Sequence, residues 1–198
     1  DIDMAMCSTE GAGWWRNDGT GGFSPVEWVH RVPFGMYAEL LAAGDMDGDG
    51  DMDVLSASFY DDTIAWYEND GNQNFTAHTI GTPNGANDVF AADVDGDGDM
   101  DVLSSSLFND RIIWFENNGS QNFASRVLTT SANAPYSVFA ADVDGDGDLD
   151  VLSASLLDDK IAWYRQNNTP AISQNSLTIA EGATVVLSVS NLNASDTD

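Results

Sequence analysis

Apolar residues in this chain stand in short runs separated by polar, glycine-rich turns, and the order of runs returns after 48 and then 49 residues. In the first complete copy the alternation predicts four strands, at about residues 53–58, 64–69, 74–80 and 88–92. Four short strands in a repeat of roughly 45 residues are typical of one blade of a β-propeller. We therefore predict an all-β fold of four-stranded antiparallel blades, with about three and a half repeats and a short β tail.

The second strand of each complete copy carries a tryptophan at the same position, and these residues are Trp66, Trp114 and Trp163. A large aromatic side chain that recurs at one strand position is expected in the core between blades rather than on a binding surface. Trp28, Phe59 and Tyr60 break the repeat instead. These three residues are therefore the candidates for stacking on sugar rings.

An acidic loop leads into the first strand of each complete copy, with Asp at positions 1, 3, 5, 7 and 9 and Gly at positions 4 and 6. The aspartates are Asp45, Asp47, Asp49, Asp51 and Asp53 in the first loop, Asp93, Asp95, Asp97, Asp99 and Asp101 in the second, and Asp142, Asp144, Asp146, Asp148 and Asp150 in the third. Carboxylates this close repel each other unless a cation lies between them. Ca²⁺ accepts irregular oxygen coordination, whereas Mg²⁺ demands a tighter octahedron. The pattern therefore predicts three complete calcium sites, against the simpler alternative of solvated acidic turns.

The residues around these aspartates narrow the type of loop. An EF-hand needs a bidentate Glu at its last position, but the twelfth position is a serine in all three loops, and a strand pattern follows it. The aspartate at position 7 is expected to bind the ion through its backbone carbonyl, with its side chain in solvent. The apolar residue at position 8 is expected to turn into the core, and these residues are Met52, Met100 and Leu149.

Residues 1–44 read as a partial copy that starts at position 7 of a loop. Asp1 and Asp3 then take positions 7 and 9, and we predict a partial calcium site that another segment or chain completes. The repeats end near residue 168. Residues 169–198 are predicted to be a linker followed by the first strands of a different β domain.

The net charge of the chain is −27, and the three loops hold 15 of the 33 acidic residues. With only six Lys and Arg residues, no basic patch for phosphates can form, so we do not expect nucleic acid or an anionic membrane as partners. The chain contains no apolar run of the roughly 18 residues that a membrane span requires. Its single cysteine excludes an internal disulfide.

The Asp-x-Asp-Gly-Asp-Gly-Asp-x-Asp-Val-Leu loops, with the Ile-x-Trp-aromatic-Glu-Asn-x-Gly strands of the first two copies, resemble the FG-GAP/VCBS family of calcium-binding β-propeller repeats. The resemblance covers residues 1–168. It implies a propeller of usually seven blades, with Ca²⁺ held in the loop between the outer strand of one copy and the strand that follows. Family members serve adhesion or scaffolding in integrin-type ectodomains, fungal lectins and bacterial surface proteins. Residues 169–198 are similar to the start of a cadherin-like or chondroitin-sulfate-proteoglycan-type repeat.

We expect an extracellular, non-enzymatic module in which Ca²⁺ stabilises the blades, and which serves adhesion or surface assembly. Because the repeats fall short of a closed ring, the open blade edges are expected to pair with other chains, as a homo-oligomer or filament. The alternative is a lectin-like propeller that binds a glycan. A less favoured alternative is the non-catalytic part of a secreted polysaccharide-degrading enzyme, because His30 and His78 do not recur and no triad or zinc motif is present.

Overall fold

The structure, a computed structural model, describes residues 4–8, 11–15, 20, 22–23, 27–31, 38–72 and 74–166. Within these ranges the regular secondary structure is entirely β-strand, arranged in four antiparallel sheets. The prediction of an all-β fold with propeller-type blades is therefore confirmed. In the described part of the chain, no helix has the length and apolar character that crossing a bilayer requires.

The sheets are antiparallel meanders, because their strands lie side by side in chain order. The N-terminal sheet contains β1 (Met4–Ser8), β2 (Gly11–Trp15) and β3 (Glu27–Arg31). The first blade contains β4 (Ala38–Gly44), β5 (Asp53–Ser58), β6 (Thr63–Asn69) and β7 (Phe75–Gly81). The second blade contains β8 (Ala86–Ala92), β9 (Asp101–Ser106), β10 (Arg111–Asn117) and β11 (Phe123–Thr129). The described strands of the third blade are β12 (Pro135–Ala141), β13 (Asp150–Ser155) and β14 (Lys160–Tyr164).

The predicted strands are present, but they divide among the blades differently from the expected repeat. The strand predicted at residues 88–92 is the end of β8, which pairs with β9 of the second blade. Each aspartate loop is therefore a hairpin connection between the first two strands of one blade. Because β4, β8 and β12 pack beside each other, they are the inner strands. The loop follows the inner strand of a blade and not the outer strand, which corrects the position that the family resemblance implied.

Apolar side chains from facing sheets form two cores between the blades. The first blade contributes Met46, Leu55, Ile64 and Trp66, which meet Val89, Val102 and Phe115 of the second blade. The second blade contributes Val94, Leu103, Ile112 and Trp114, which meet Val138, Ala140 and Val151 of the third blade. The same strand positions therefore cover one another in both interfaces. This confirms the prediction that Trp66 and Trp114 are core residues.

The corresponding face of the third blade is not covered by the described residues. Ile161 is 80% exposed and Trp163 is 44% exposed, whereas the equivalent Ile112 is fully buried. Within the described residues Trp163 is therefore not a core residue, contrary to the prediction. The reason is physical: a tryptophan at this strand position is buried by the next blade along the chain and not by its own sheet.

Hydrogen bonds at the ends of the blades opposite the aspartate loops connect each blade to the next. Asp62 has a positive φ of 56°, and its Oδ1 accepts the N–H of Gly85 at 2.6 Å. Asp110, with the same φ of 56°, accepts the N–H of Ala134 at 2.9 Å in the same way. These contacts join the hairpin turn of one blade to the segment that enters the next blade, and they fix the spacing between neighbouring sheets.

Candidate metal centre

The backbone of each aspartate loop curls around its first carboxylate. In the first loop Asp45 Oδ1 accepts the N–H of Gly48 at 2.8 Å, and Asp45 Oδ2 accepts the N–H of Gly50 at 3.0 Å. These glycines have φ values of 79° and 94°, a left-handed conformation that side chains with a Cβ rarely adopt. The glycines of the second and third loops also have positive φ. The glycine spacing in the sequence is thus what allows the loop to close.

Each curled loop brings three carboxylates together, with oxygens that all lie within 4.8 Å of one another. The groups are Asp45, Asp47 and Asp53 in the first loop, Asp93, Asp95 and Asp101 in the second, and Asp142, Asp144 and Asp146 in the third. The remaining predicted ligands of the described loops lie outside these groups, and they are Asp49, Asp51, Asp97, Asp99, Asp148 and Asp150. The first two loops therefore combine positions 1, 3 and 9, whereas the third combines positions 1, 3 and 5.

The aspartate at position 9 anchors the loop to the blade. Asp101 is fully buried, and its two oxygens accept the N–H groups of Val94 at 3.0 Å and Asn117 at 2.7 Å. Burial raises the pKa of Asp101 to about 6, although the two hydrogen bonds oppose the shift. Burial raises the pKa of Asp53 in the first loop for the same reason. A nearby cation would favour the charged form that these hydrogen bonds require.

The position-3 carboxylates of the first two loops lie in a strongly negative environment. Burial is the largest cause that raises the pKa of both Asp47 and Asp95, and repulsion from neighbouring carboxylates adds to it. The repelling groups include Glu68 for Asp47 and Glu116 for Asp95, from the third strand of each blade. A bound divalent cation would remove this repulsion.

One oxygen of the second loop has the character expected of a metal ligand. Asp93 Oδ1 is buried and has no hydrogen-bond partner within the described residues. A buried polar atom without a partner is costly, and a cation would satisfy it. The donors of all three groups are carboxylate oxygens, which suit a hard cation such as Ca²⁺. The residues therefore fit Ca²⁺, which Asp93, Asp95 and Asp101 would hold in the second loop.

A family model of the FG-GAP-like repeat matches residues 1–56, 45–104 and 107–153. The chain belongs to the FG-GAP-like repeat family. The matched segments include the N-terminal partial copy and all three aspartate loops, so the family resemblance of the repeats is confirmed. The cadherin-like character of residues 169–198 stays a prediction. None of the curated proteins compared with the chain is similar enough to count as a match.

A solved structure that resembles the FG-GAP-like chain describes specific recognition of non-reducing terminal N-acetylglucosamine by an Agrocybe aegerita lectin. The two chains are 21% identical, with a TM-score of 0.52 over 77% of this chain and 47% of the lectin chain. The FG-GAP-like chain thus spans about half the length of that lectin. Likeness at this level of identity concerns the fold alone.

The FG-GAP loops differ from the sequence prediction at position 7. The side chains of Asp51 and Asp99 are only partly in solvent, because each carboxylate lies against a glycine in the turn after the third strand. A Cβ at Gly71 or Gly119 would collide with Asp51 or Asp99, respectively. Both glycines also have positive φ. The glycine of the Asn-x-Gly motif is therefore required both by the turn and by the neighbouring loop.

Position 8 of the FG-GAP loops is correctly predicted in two copies and wrongly in one. Met100 packs against the core between the first two blades, and Leu149 packs against the core between the second and third. Met52 is 58% exposed. The position-8 side chain needs the loop of the preceding blade for cover, as Met100 has beside Gly44 and Met46, and the described residues do not cover Met52.

The predicted sugar-stacking residues are only partly described. Phe59 and Tyr60 lie in the turn after β5, and their rings are 5.2 Å apart. The ring of Phe108, from the equivalent turn of the second blade, lies 5.0 Å from Phe59. Apolar residues thus recur at this turn, so the interpretation that Phe59 and Tyr60 break the repeat is wrong. Trp28 lies in β3, but its side chain is outside the described residues, as are Asp1 and Asp3.

Two recurring features of the blades are not among those predicted from the sequence. Asn117 Nδ2 donates to the carbonyls of Met100 at 3.2 Å and Met46 at 3.4 Å, and so connects two FG-GAP loops. In the sequence, this contact is marked by the asparagine that follows the glutamate in the aromatic strand.

The second feature is that each recurrent tryptophan is stacked with a basic side chain. The pairs are His78 with Trp66, Arg126 with Trp114 and Arg165 with Trp163.

Proposed function

We propose that this FG-GAP-like chain is an extracellular calcium-binding structural module that serves adhesion or surface assembly. The observation that carries the proposal is the closure of each aspartate loop around three carboxylates, together with the buried, unpartnered Oδ1 of Asp93. Catalysis is not part of the proposed role, and the expectation that the chain is not an enzyme stays a prediction.

In this role Ca²⁺ acts as a structural link within each blade. The loop connects the inner strand to the second strand, and the aspartate at position 9 connects it to the third strand through a backbone N–H. Neutralising the carboxylates would therefore stabilise three strands at once. Because an ion that binds only the folded state adds its binding energy to folding, calcium affinity becomes fold stability. Weak calcium sites are sufficient in an extracellular module, because the Ca²⁺ concentration outside cells is about millimolar.

Thermal unfolding with Ca²⁺ and with a chelator tests this role. One site at a hundredfold excess over its Kd adds about 2.7 kcal/mol, which is roughly 5–11 °C for a domain of this size. We expect a rise of at least this size in millimolar Ca²⁺, a smaller rise with Mg²⁺, and a reduced rise in Asp93→Asn. Asp61→Asn, which removes an exposed carboxylate from a turn, is the matched control. Identical melting temperatures with Ca²⁺ and chelator would remove the structural-metal role.

We further propose that two copies of the chain associate through the face of the third blade that the described residues leave uncovered. This proposal is supported by the contacts within the chain. The equivalent face of the first blade is buried against the second blade, and that of the second blade is buried against the third. A second copy offers the same kind of sheet surface. The exposed residues Val143, Ile161 and Trp163 would provide the apolar contact.

Sedimentation velocity over a wide concentration range tests this association. We expect the molar mass to rise above that of one chain, and Ile161→Asp to lower it. Val127→Asp is the control, since Val127 is also exposed but lies on the outer strand β11 of the second blade. A single-chain mass at every concentration, or equal effects of the two substitutions, would contradict the proposal.

Glycan binding is the second candidate function, favoured by the cluster of Phe59, Tyr60 and Phe108. Tyr60 and Phe108 are each 60% exposed and project from neighbouring turns, and exposed aromatic rings suit stacking on sugars. The lectin with the similar fold makes a glycan with terminal N-acetylglucosamine the first probe. We expect such a glycan to bind the parent chain, and Tyr60→Ala with Phe108→Ala to abolish binding. Binding that survives both substitutions would exclude this cluster.

A further inference from the structure

The third blade carries a reversed charge beside its aspartate loop. The residue after the aromatic pair of the third strand is Glu68 in the first blade, Glu116 in the second and Arg165 in the third. The equivalence holds in the structure, because the next residue in each blade donates its backbone N–H to the aspartate at position 9. The three loops therefore share one backbone arrangement with different neighbouring charges.

Arg165 pairs directly with a predicted calcium ligand. Its Nε lies 2.9 Å from Asp144 Oδ2, while Asp144 Oδ1 accepts the N–H of Asp146 at 3.2 Å. Both oxygens of this carboxylate are thus engaged. In the first two blades the glutamates pair instead with His78 and Arg126, and within the described residues no basic side chain pairs with Asp47 or Asp95.

The position of Arg165 is fixed from two sides. Its guanidinium lies 5.0 Å from the centroid of the Trp163 ring, while its Nε contacts the loop carboxylate of Asp144. The third loop also differs in its ligand group, which includes the exposed Asp146 in place of the buried Asp150. These observations independently mark the third loop as different from the other two.

We propose that Arg165 makes the third loop a weaker Ca²⁺ site than the first two, so that the loops fill in order. The inference rests on the proposed function, because it requires that the loops bind Ca²⁺. Replacing a glutamate by an arginine changes the charge beside the ion by two units, and Ca²⁺ competes with the guanidinium for Asp144. Charges a few ångströms apart near a protein surface interact strongly enough to change affinity about tenfold or more. The third loop then binds Ca²⁺ only at concentrations above those that fill the first two loops.

Calorimetric titration of the full chain with Ca²⁺ tests the inference. We expect two tighter sites and one that is about tenfold or more weaker. Asp142→Asn should remove the weak site and leave the two tight ones. Loss of a tight site in Asp142→Asn would overturn the assignment.

Substitution of Arg165 gives the sharper comparison. Arg165→Gln and Arg165→Glu should both raise the affinity of the third site, Arg165→Glu more, whereas Arg165→Lys should keep it weak. Lys160→Gln is the matched control, because it removes one positive charge from the same blade, where Lys160 pairs with Asp158 at 3.0 Å in the opposite turn. Circular dichroism in saturating Ca²⁺ confirms that each variant is folded.

The outcomes separate this inference from the proposed function. Three sites of equal affinity, unchanged in Arg165→Gln, would overturn the role of Arg165 and leave calcium binding in place. An equal gain in Lys160→Gln and Arg165→Gln would show a general effect of net charge and also overturn it. The absence of any Ca²⁺ binding would overturn the proposed function itself.

Discussion

The second and third blades share nearly the same sequence pattern but differ in their surroundings. Val94 and Ile112 of the second blade are 2% and 0% exposed, whereas Val143 and Ile161 at the same positions of the third blade are 46% and 80% exposed. The strands themselves form in both blades with equivalent pairing. The repeat therefore determines which strands form, while the neighbouring blade determines which of their side chains become core.

The two blades also differ around their aspartate loops. In the second blade Glu116 pairs with Arg126 and its charge repels Asp95 of the loop. In the third blade Arg165 pairs with Asp144 inside the loop. One substitution in a repeated strand thus changes a loop that is distant in sequence, because the third strand passes beside the loop in every blade.

The largest expected effect comes from the buried aspartate at position 9. Asp101→Ala leaves the N–H groups of Val94 and Asn117 without their acceptor, and each buried donor costs about 1–3 kcal/mol. We therefore expect a loss of about 2–6 kcal/mol in the free energy of unfolding, measured by urea denaturation in saturating Ca²⁺. Asp150→Ala should cost less, because its partner Val143 is already half-exposed. Equal losses in the two variants would contradict the comparison.

The next effect concerns the equivalent isoleucines. Ile112→Ala removes methyl groups from a closed core and should cost about 2–5 kcal/mol. Ile161→Ala changes an exposed side chain and should stay within about 0.5 kcal/mol when unfolding is measured at a protein concentration low enough to keep the chain monomeric. If both substitutions cost several kcal/mol, the face of the third blade is covered in solution.

A smaller effect should distinguish two glycines of the second blade that have nearly the same backbone conformation. Gly96 and Gly119 have φ values of 74° and 72°, so either alanine variant pays roughly 1–2 kcal/mol for the left-handed conformation. A Cβ at Gly96 meets nothing within 4 Å, whereas one at Gly119 collides with Asp99. Gly119→Ala should therefore be the less stable variant in thermal unfolding, and it should also weaken Ca²⁺ binding at the second loop. Matching melting temperatures would count against the contact with Asp99.

The smallest effect is expected for the ion pair of the second blade. Arg126→Gln breaks the contact with Glu116, but the arginine side chain is 56% exposed. Half-exposed pairs are worth about 0–1 kcal/mol, so stability should change little. Calcium affinity should change less than in Arg165→Gln, because Arg126 does not contact a loop carboxylate. A larger change in affinity for Arg126→Gln than for Arg165→Gln would reverse the proposed difference between the blades.

The strands and the acidic loops were predictable from sequence because both depend on local patterns. Alternating apolar residues indicated the four strands of the first complete copy, and the Asp and Gly spacing indicated loops that close around a cation. The exposure of Met52 and Trp163 was not predictable, because it depends on which blade lies next to each residue. The contact between Asp99 and Gly119 was also missed, since two separate motifs meet only when the third strand returns beside the loop.

The most direct test of calcium binding by the aspartate loops is a crystal structure of the chain grown in millimolar Ca²⁺, with anomalous scattering used to locate the ions. We expect one ion in each of the first two loops, coordinated by the aspartates at positions 1, 3 and 9, and an ion of lower occupancy in the third loop. Loops that keep their closed shape with no anomalous peak in any of them would contradict calcium binding and leave the acidic-turn interpretation in its place.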